Sequence, residues 1–345
     1  MKKNVKTIAI HHRKDSFSDK WIEYCKKNNI NYKLVNCYDN NIIEQLVDCN
    51  GLMWHWSHSV EYADYLFARQ LTYSLEIKGL KVFPNSKTVW HFDDKVGQKY
   101  MLEALGLPLV PTFVFYEKSK ALDWIQKTNF PKVFKTRNGA GALNVSLIRT
   151  KKHAKKIIKK CFNKGIPSYN KGLAFKESLW KFKRDKTVKS VGRVFKYLLK
   201  FTLPSKLLPR SVNEKDYVYF QDFIPNLEND YRLKVVGDRC WGKKRYVREN
   251  DFRASGSRIS DYDHNIIPKD LVVKSFQISK LLGLQSVAFD FVIYNKIIYL
   301  LELSYGFGYD EEELFGFWDT DLIWHNETFV PEQFMIEDFL KEFQK

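Results

Sequence analysis

Two carboxylates and two lysines in this chain stand where they could handle a phosphate. Asp290 lies inside the apolar run VAFDFVIY and Glu302 inside YLLELS, two strand-like segments joined at Asn295-Lys296. An ionised carboxylate is costly to bury without a cation or donors. Two on neighbouring strands repel unless a divalent ion sits between them, and oxygen-only ligands suit Mg2+, which shares its coordination with substrate phosphates. Lys135 interrupts a second apolar run, PKVFKT, and is followed by a loop carrying Gly139, Ala140 and Gly141. Glycines let backbone amides approach phosphate oxygens with no Cβ in the way. The spacing is not that of a Walker loop. Lys95, directly after Asp93-Asp94 at a helix start, is a second candidate cation. Singly, each of these residues has an ordinary alternative as a strand-edge or helix-surface side chain; together they point to a magnesium-bound phosphate.

The elements that must position them alternate along the chain. Residues 1–88 read as strands TIAI, YKLVNC, GLMWHW and KVFPN separated by helical stretches, the pattern of a parallel sheet with covering helices. The glycine fingerprint of a dinucleotide site is missing after the first strand, where HHRKD stands. A central region, 89–216, holds the helix DDKVGQKYMLEALG, strands TFVFY, KVFKT and NVSLI, the helix KKHAKKIIKKCFNKG and a basic insert at 171–215. A C-terminal region, 217–345, opens with YVYFQDFI, continues in a hairpin turning at Gly237-Asp238 and a helix around VVKSFQISKLLG, and ends with the carboxylate-bearing strands and beyond. The fold class is therefore α/β, with the later regions of α+β character.

Bulk properties narrow the function. The apolar content is ample for folded cores, and no apolar run approaches the ~18 residues of a membrane span. The five cysteines form no CxxC pair, so a reduced, cytoplasmic protein is expected. Net charge is +17, yet residues 151–215 hold 20 basic against 3 acidic residues, which accounts for all of it. Basicity confined to one segment argues against nucleic acid as the partner of the whole fold.

In sequence order, DDKVGQKYMLEALGLPLVPT, FPKVFKTRNGAGALNV, YFQDFIPNLENDYRLKVVGD, DFRASGS, SVAFDFV and LLELS resemble the ATP-grasp superfamily over about residues 89–308. The likeness is greatest to the carboxylate–amine ligase branch of ribosomal-protein glutamate ligase and glutathione synthetase. Closer still is the resemblance to ATP-grasp proteins of bacterial surface-polysaccharide clusters, which share DFRASGS and a tail like FWDTDLIWHN. The resemblance implies an ATP-grasp fold with a Rossmann-like N-terminal domain. It also implies an ATP-dependent ligase that forms an amide through an acyl phosphate, modifying a sugar acid or amino acid for capsule or O-antigen assembly. It assigns Lys95, Lys135, Gly139, Ala140 and Gly141 to the phosphates. Gln221, Asp222, Phe223 and Ile224 fall to the adenine pocket, with main-chain bonds from Asp222 and Ile224, and Asp230 to the ribose. Arg232, Arg245 and Arg253 are placed at the reacting groups, with Ser255 and Ser257 beside the last. Asp290, Glu302 and Ser304 are assigned to one or two Mg2+ ions. Ser304 stands where these ligases usually carry Asn, a better ligand. That leaves open an altered metal number, a kinase acting on an anionic small molecule, or an ATP-binding regulator without turnover.

Two features lie outside this frame. Within residues 176–212, Val188, Val191, Val194, Phe195, Leu198 and Leu199 recur at helical spacing among Lys189, Arg193, Lys196 and Lys200. This is either a helix covering the nucleotide lobe or a basic amphipathic helix that lies at the inner face of a membrane or grips an acidic polymer. His11, His12, His55 and His58 follow strands at a position where open α/β sheets place ligands, and would shape an acceptor pocket. A homodimer is left open.

Overall fold

The computed structural model describes residues 6–57, 60, 61, 63–138, 144–167, 213–248, 254, 257 and 259–344, with short stretches between 172 and 198. Gly139, Ala140, Gly141, His58, Arg253, Ser255 and most of the 176–212 stretch lie outside the described residues.

The chain starts with β1 (Ile8–His11), α1 (Phe17–Lys27), β2 (Tyr32–Val35), α2 (Ile42–Gln45), β3 (Gly51–Trp54), α3 (Ala63–Ile77) and β4 (Lys81–Phe83). The four strands form a parallel sheet in the order β2-β1-β3-β4. β1 and β3 are buried along their whole length, as uninterrupted apolar strands covered on both faces must be. On one side they pack with Trp21 and Cys25 of α1; Gly51 admits the C-terminal helix there, since a Cβ would meet the Phe339 ring at 2.6 Å.

α4 (Ser86–Val89) and α5 (Lys95–Ala104) follow. Asp94 caps α5 by accepting from the Gly97 N–H at 2.9 Å, which fixes Lys95 at the first helical position. Next come β5 (Thr112–Phe115), α6 (Lys118–Lys127), β6 (Lys132–Lys135), β7 (Ser146–Ile148), α7 (Lys151–Asn163), the short pair β8 (Ile166–Pro167) and β9 (Asn213–Glu214), and β10 (Val218–Asp222). β5, β10, β6 and β7 make an antiparallel sheet in that order, so this sheet takes in residues beyond 217. Its Phe134, Val218 and Phe220 pack under α6 and α7. Strand alternation turns Lys135, Tyr219 and Gln221 to the opposite, uncovered side.

The last part comprises β11 (Asn229–Val236), β12 (Arg239–Tyr246), β13 (Ser260–Asp261), α8 (Lys269–Leu282), β14 (Ser286–Tyr294), β15 (Ile297–Ser304), β16 (Phe317–Trp318), β17 (Trp324–His325) and α9 (Pro331–Lys341). Its seven-stranded sheet runs β15-β14-β11-β12-β16-β17, with β13 on β12. Asn295 and Lys296 both adopt positive φ and close the β14–β15 hairpin tightly. Val287, Phe289, Phe291, Leu233 and Val235 point to one face and bury under Leu271, Val272 and Ile278 of α8. At one end of the other face Ala288, Val236 and Trp241 join the core of the N-terminal sheet. Beside them the face turns polar and carries Asp290, Arg232 and Lys234. Among the described residues no helix is long and apolar enough to cross a membrane.

Candidate active site

Period-two alternation sets the polar face as rows across the strands. Asp290 stands directly opposite Glu302 on one side and Arg232 on the other, and Arg232 is opposite Lys243. One step along, Ser304, Ala288, Lys234 and Trp241 form the next row, and Asp230 faces Arg245. From the start of α5, Lys95 Nζ reaches Glu302 Oε1 at 3.0 Å. Lys135 Nζ donates to Gln221 Oε1 at 2.7 Å, and Gln221 Nε2 donates to Thr112 Oγ1 at 3.1 Å. Glu302 acts electrostatically on both lysines, so Lys95, Lys135, Asp290 and Glu302 converge on one cleft between two sheets.

The opposed carboxylates are not left to repel one another. Arg232 Nη1 donates to Asp290 Oδ1 and Oδ2 at 2.9 and 3.1 Å, and Arg245 Nη2 lies 3.0 Å from Oδ1. The expectation that only a divalent ion could reconcile the pair is corrected here: guanidinium groups already do so for Asp290, and the Lys95 ammonium does so for Glu302. Burial pushes the Asp290 carboxyl up, but Arg232 and Arg245 outweigh it and hold it below its ordinary value. Burial likewise works against the charge on Lys95, and Glu302 and Asp93 overcome it, leaving its pKa raised. For Lys135 burial wins: with Glu302 opposing and Lys95 adding, the amine is lowered to about 8.

Several expected residues take other places. Both Asp230 oxygens accept from Arg245, at 2.7 and 2.8 Å, and Asp230 is almost fully buried. Its carboxylate therefore orients Arg245 rather than being presented to a ribose. The Asp222 side chain pairs with Lys132 on the helix-covered side of its sheet, and its N–H donates to the Pro111 carbonyl at 2.9 Å. Asp222 is the last residue of β10, with Phe223 and Ile224 following just outside it. Ser304 Oγ sits 3.4 Å from the Gly306 carbonyl. Ser257 is buried and accepts from the Ile259 N–H, a turn role. Among the described residues no group of three or more His, Cys, Asp or Glu side chains is arranged to hold a metal.

The stems of the glycine loop are tied down. Arg137 Nη2 donates to Asp94 Oδ2 at 2.7 Å and its carbonyl accepts from the Lys95 N–H at 3.1 Å. Its own N–H donates to Tyr217 Oη at 2.5 Å, and Tyr217 in turn donates to Glu214, which also accepts from Asn138.

Sequence reasoning missed a second cationic group on the same floor. The fully buried Lys234 pairs with Glu313, which also accepts from Lys243 at 2.7 Å; Lys243 pairs with Asp310 as well. The alternation Arg232-x-Lys234 in YRLKVV was the available signal, since a strand must aim both cations at one face.

A cavity of about 500 Å3 opens where the N-terminal sheet meets the loop after β15, lined among others by Arg13, Phe17, His55, Gly306, Tyr309 and Glu332. His55 stacks on Phe17 with centroids 3.8 Å apart, and its Nδ1 accepts from the Phe17 N–H at 3.2 Å. The ring proton is thereby placed on Nε2, which faces Gly306. Burial, with Arg13 adding, lowers the imidazole to about 3, so it stays neutral. The other two described histidines of the expected pocket serve elsewhere: His11 is buried and accepts from the Cys37 N–H, and His12 pairs with Asp19.

No protein-family model and no curated protein sequence matches the chain. Solved structures do. A RimK-domain ATP-grasp protein from Sphaerobacter thermophilus superposes with a TM-score of 0.56 at 14% identity, over 97% of this chain and 99% of that one. D-alanine–D-alanine ligase from Bacillus anthracis gives 0.58 at 14% identity, over 98% and 99%. The biotin carboxylase domain of Hydrogenobacter thermophilus 2-oxoglutarate carboxylase, crystallised with MgADP, gives 0.58 at 11% identity, over 97% and 69%. The likeness spans nearly the whole chain, and the fold is the ATP-grasp fold.

Proposed function

We propose that the protein is an ATP-dependent carboxylate–amine ligase. The observation that carries this reading is the convergence of Lys95, from the start of α5, and Lys135, from the smaller sheet, on Asp290 and Glu302 of the larger one. That arrangement suits a polyphosphate held between two lobes. Asp290, Glu302 and Ser304 are hard oxygen donors, and Glu302 meets Lys95 through Oε1. The donor set fits Mg2+ completed by phosphate oxygens and water. Bound there, the ion supplies charge neutralisation for the polyphosphate.

The side chains of the chain account for the rest. Lys95 and Lys135 hold phosphate oxygens. Gln221 orients Lys135, and the Asp222 carbonyl meets the base. Arg245, locked by Asp230, and Arg232 present a fixed guanidinium pair to the group in transfer, which needs positioning and charge stabilisation more than a side-chain base. The substrate carboxylate attacks the γ-phosphorus, ADP leaves, and an amine displaces phosphate from the acyl phosphate, losing its proton as the amide forms. The acceptor enters the cavity by Gly306, where Arg13 and the Nε2–H of His55 are donors for a carboxylate, and which Glu332 also lines. A sugar acid or amino acid handled during surface-polysaccharide assembly is the substrate class in this reading; its support is the sequence likeness of DFRASGS and FWDTDLIWHN.

The test is ADP and phosphate release from Mg-ATP across pairs of uronic or amino acids and amines. Release that needs both partners supports the ligase. ADP without free phosphate from a single hydroxyl substrate would make it a kinase, and nucleotide binding with no turnover on any pair a regulator.

A further inference from the structure

The nucleotide cleft leaves unexplained the charge of residues 151–215. α7 carries Lys151, Lys152, Lys155, Lys156, Lys159 and Lys160 with no acidic residue. All six are exposed, while Ala154, Ile158 and Cys161 bury the opposite side against α6 and the smaller sheet. Lysines four apart on one helix repel, and here they do so in two parallel rows. Lys151 and Lys152 also oppose the helix dipole at its positive end. The one hydrogen bond recorded for these side chains among the described residues runs from Lys151 Nζ to the Gln126 carbonyl at 3.4 Å. A face that weakens its own helix and holds no anion of its own is suited to an external one.

A second observation selects the kind of anion. Val191, Phe195 and Leu198 are helical and lie at spacings of four and three, hence on one helix face, and all three are exposed, Phe195 by 60%. In the sequence they alternate with Arg193, Lys196 and Lys200. A hydrated polyanion would be met by lysines alone and offers nothing to an apolar face. A bilayer rich in acidic lipid satisfies both, with headgroups for the cations and the acyl boundary for the apolar side chains.

We propose that α7 and the Val191–Phe195–Leu198 face dock the protein on the anionic surface of a lipid bilayer, the lysine face of α7 against the headgroups and the apolar face in the interface. This docking is independent of the ligase reading.

Flotation of the full chain with vesicles tests it, comparing phosphatidylcholine alone with phosphatidylcholine containing about a third phosphatidylglycerol. Binding is expected only to the acidic vesicles and is lost at about 0.5 M salt. Each lysine near such a surface is worth about fivefold in partitioning, so Lys152→Gln, Lys155→Gln, Lys156→Gln and Lys159→Gln together should lower it a few hundredfold. Val191→Ser with Phe195→Ser and Leu198→Ser should lower it at least about tenfold at any salt concentration. Melting curves and Mg-nucleotide affinity of both variants should match the wild type, since none of these residues belongs to the cleft. No binding to acidic vesicles, equal binding to both vesicle types, or binding unaffected by the lysine substitutions overturns the proposal. Binding that survives the serine substitutions, or heparin bound as tightly as the vesicles, overturns it in favour of a soluble polyanion.

Discussion

Replacing Lys135 by methionine separates a working phosphate grip from an ordinary structural lysine. Burial, opposed by Glu302 and aided by Lys95, lowers the amine from 10.5 to about 8. At about 1.4 kcal/mol per pKa unit, carrying that charge costs the native state roughly 3 kcal/mol at pH 7. The sign follows from proton binding: the cost is fully present below pH 8, where both folded and unfolded states are protonated, and fades as pH rises from 8 to 10.5. Methionine keeps much of the volume and removes the cost, but forfeits the charged hydrogen bond to Gln221, worth about 1.5–3 kcal/mol. The variant should therefore be as stable as the wild type or up to about 1.5 kcal/mol more so, a melting temperature unchanged or higher by a few degrees. Nucleotide binding should move the other way. Losing one charge-assisted bond to phosphate weakens affinity by roughly 10- to 150-fold. Scanning calorimetry and titration with a non-hydrolysable ATP analogue plus Mg2+ read the two effects on the same sample. Wild-type affinity should also decline above pH 8 as the free amine loses its proton, and the variant should lack that decline. A melting temperature lowered by more than about 4 °C, with affinity within about twofold of wild type, would refute the assignment.

Asp290→Asn leaves Arg232 and Arg245 facing a neutral amide; a buried pair broken in this way costs about 3–5 kcal/mol, so melting temperature and ADP release should both fall, whereas Glu302→Gln should lose ADP release with a smaller thermal penalty, its partner being the single Lys95. Tyr217→Phe removes the hydroxyl that accepts from Arg137 and donates to Glu214, and should weaken nucleotide affinity about three- to tenfold, read by the same titration. Arg13→Gln should raise the KM for the carboxylate substrate about tenfold or more and leave the KM for ATP unchanged, and no titration of His55 should show in the rate between pH 5 and 9, because its imidazole is lowered to about 3. Preserved acceptor KM in the first case, or a rate inflection removed by His55→Gln in the second, would count against the pocket.

Much of the scaffold was legible because local patterns and tertiary contacts agree. VAFDFVIY and IIYLLELS break at Asn295-Lys296 as a tight hairpin requires, but strict alternation from that turn would pair Asp290 with Leu301, and a register shift beside Asp290, not legible in the sequence, brings Glu302 opposite it. Lys95 was readable from the capping Asp94 before it. The helix of Lys118–Lys127 went unread because its face is lysine-rich and only Ala121 and Ile125 are buried. That of Pro331–Lys341 went unread because its packing partners, β3 and α1, lie some 300 residues earlier in the chain. The electrostatics of the site were illegible for the same reason. Nothing near Asp290 in sequence announces Arg232, 58 residues away, or Arg245, and without them two facing carboxylates look as if they need a metal. Asp230 illustrates the converse: its place in the run suggested a ligand contact, and register across the β11–β12 hairpin gave it to Arg245 instead.

Equilibrium titration of the wild-type chain with a non-hydrolysable ATP analogue, with and without Mg2+, bears most directly on the cleft between the two sheets. One saturable site that Mg2+ tightens, and that Lys95→Met or Glu302→Gln abolishes without unfolding the chain, is the result expected. Absence of saturable binding into the millimolar range with Mg2+ present, or binding indifferent to both substitutions, would contradict it.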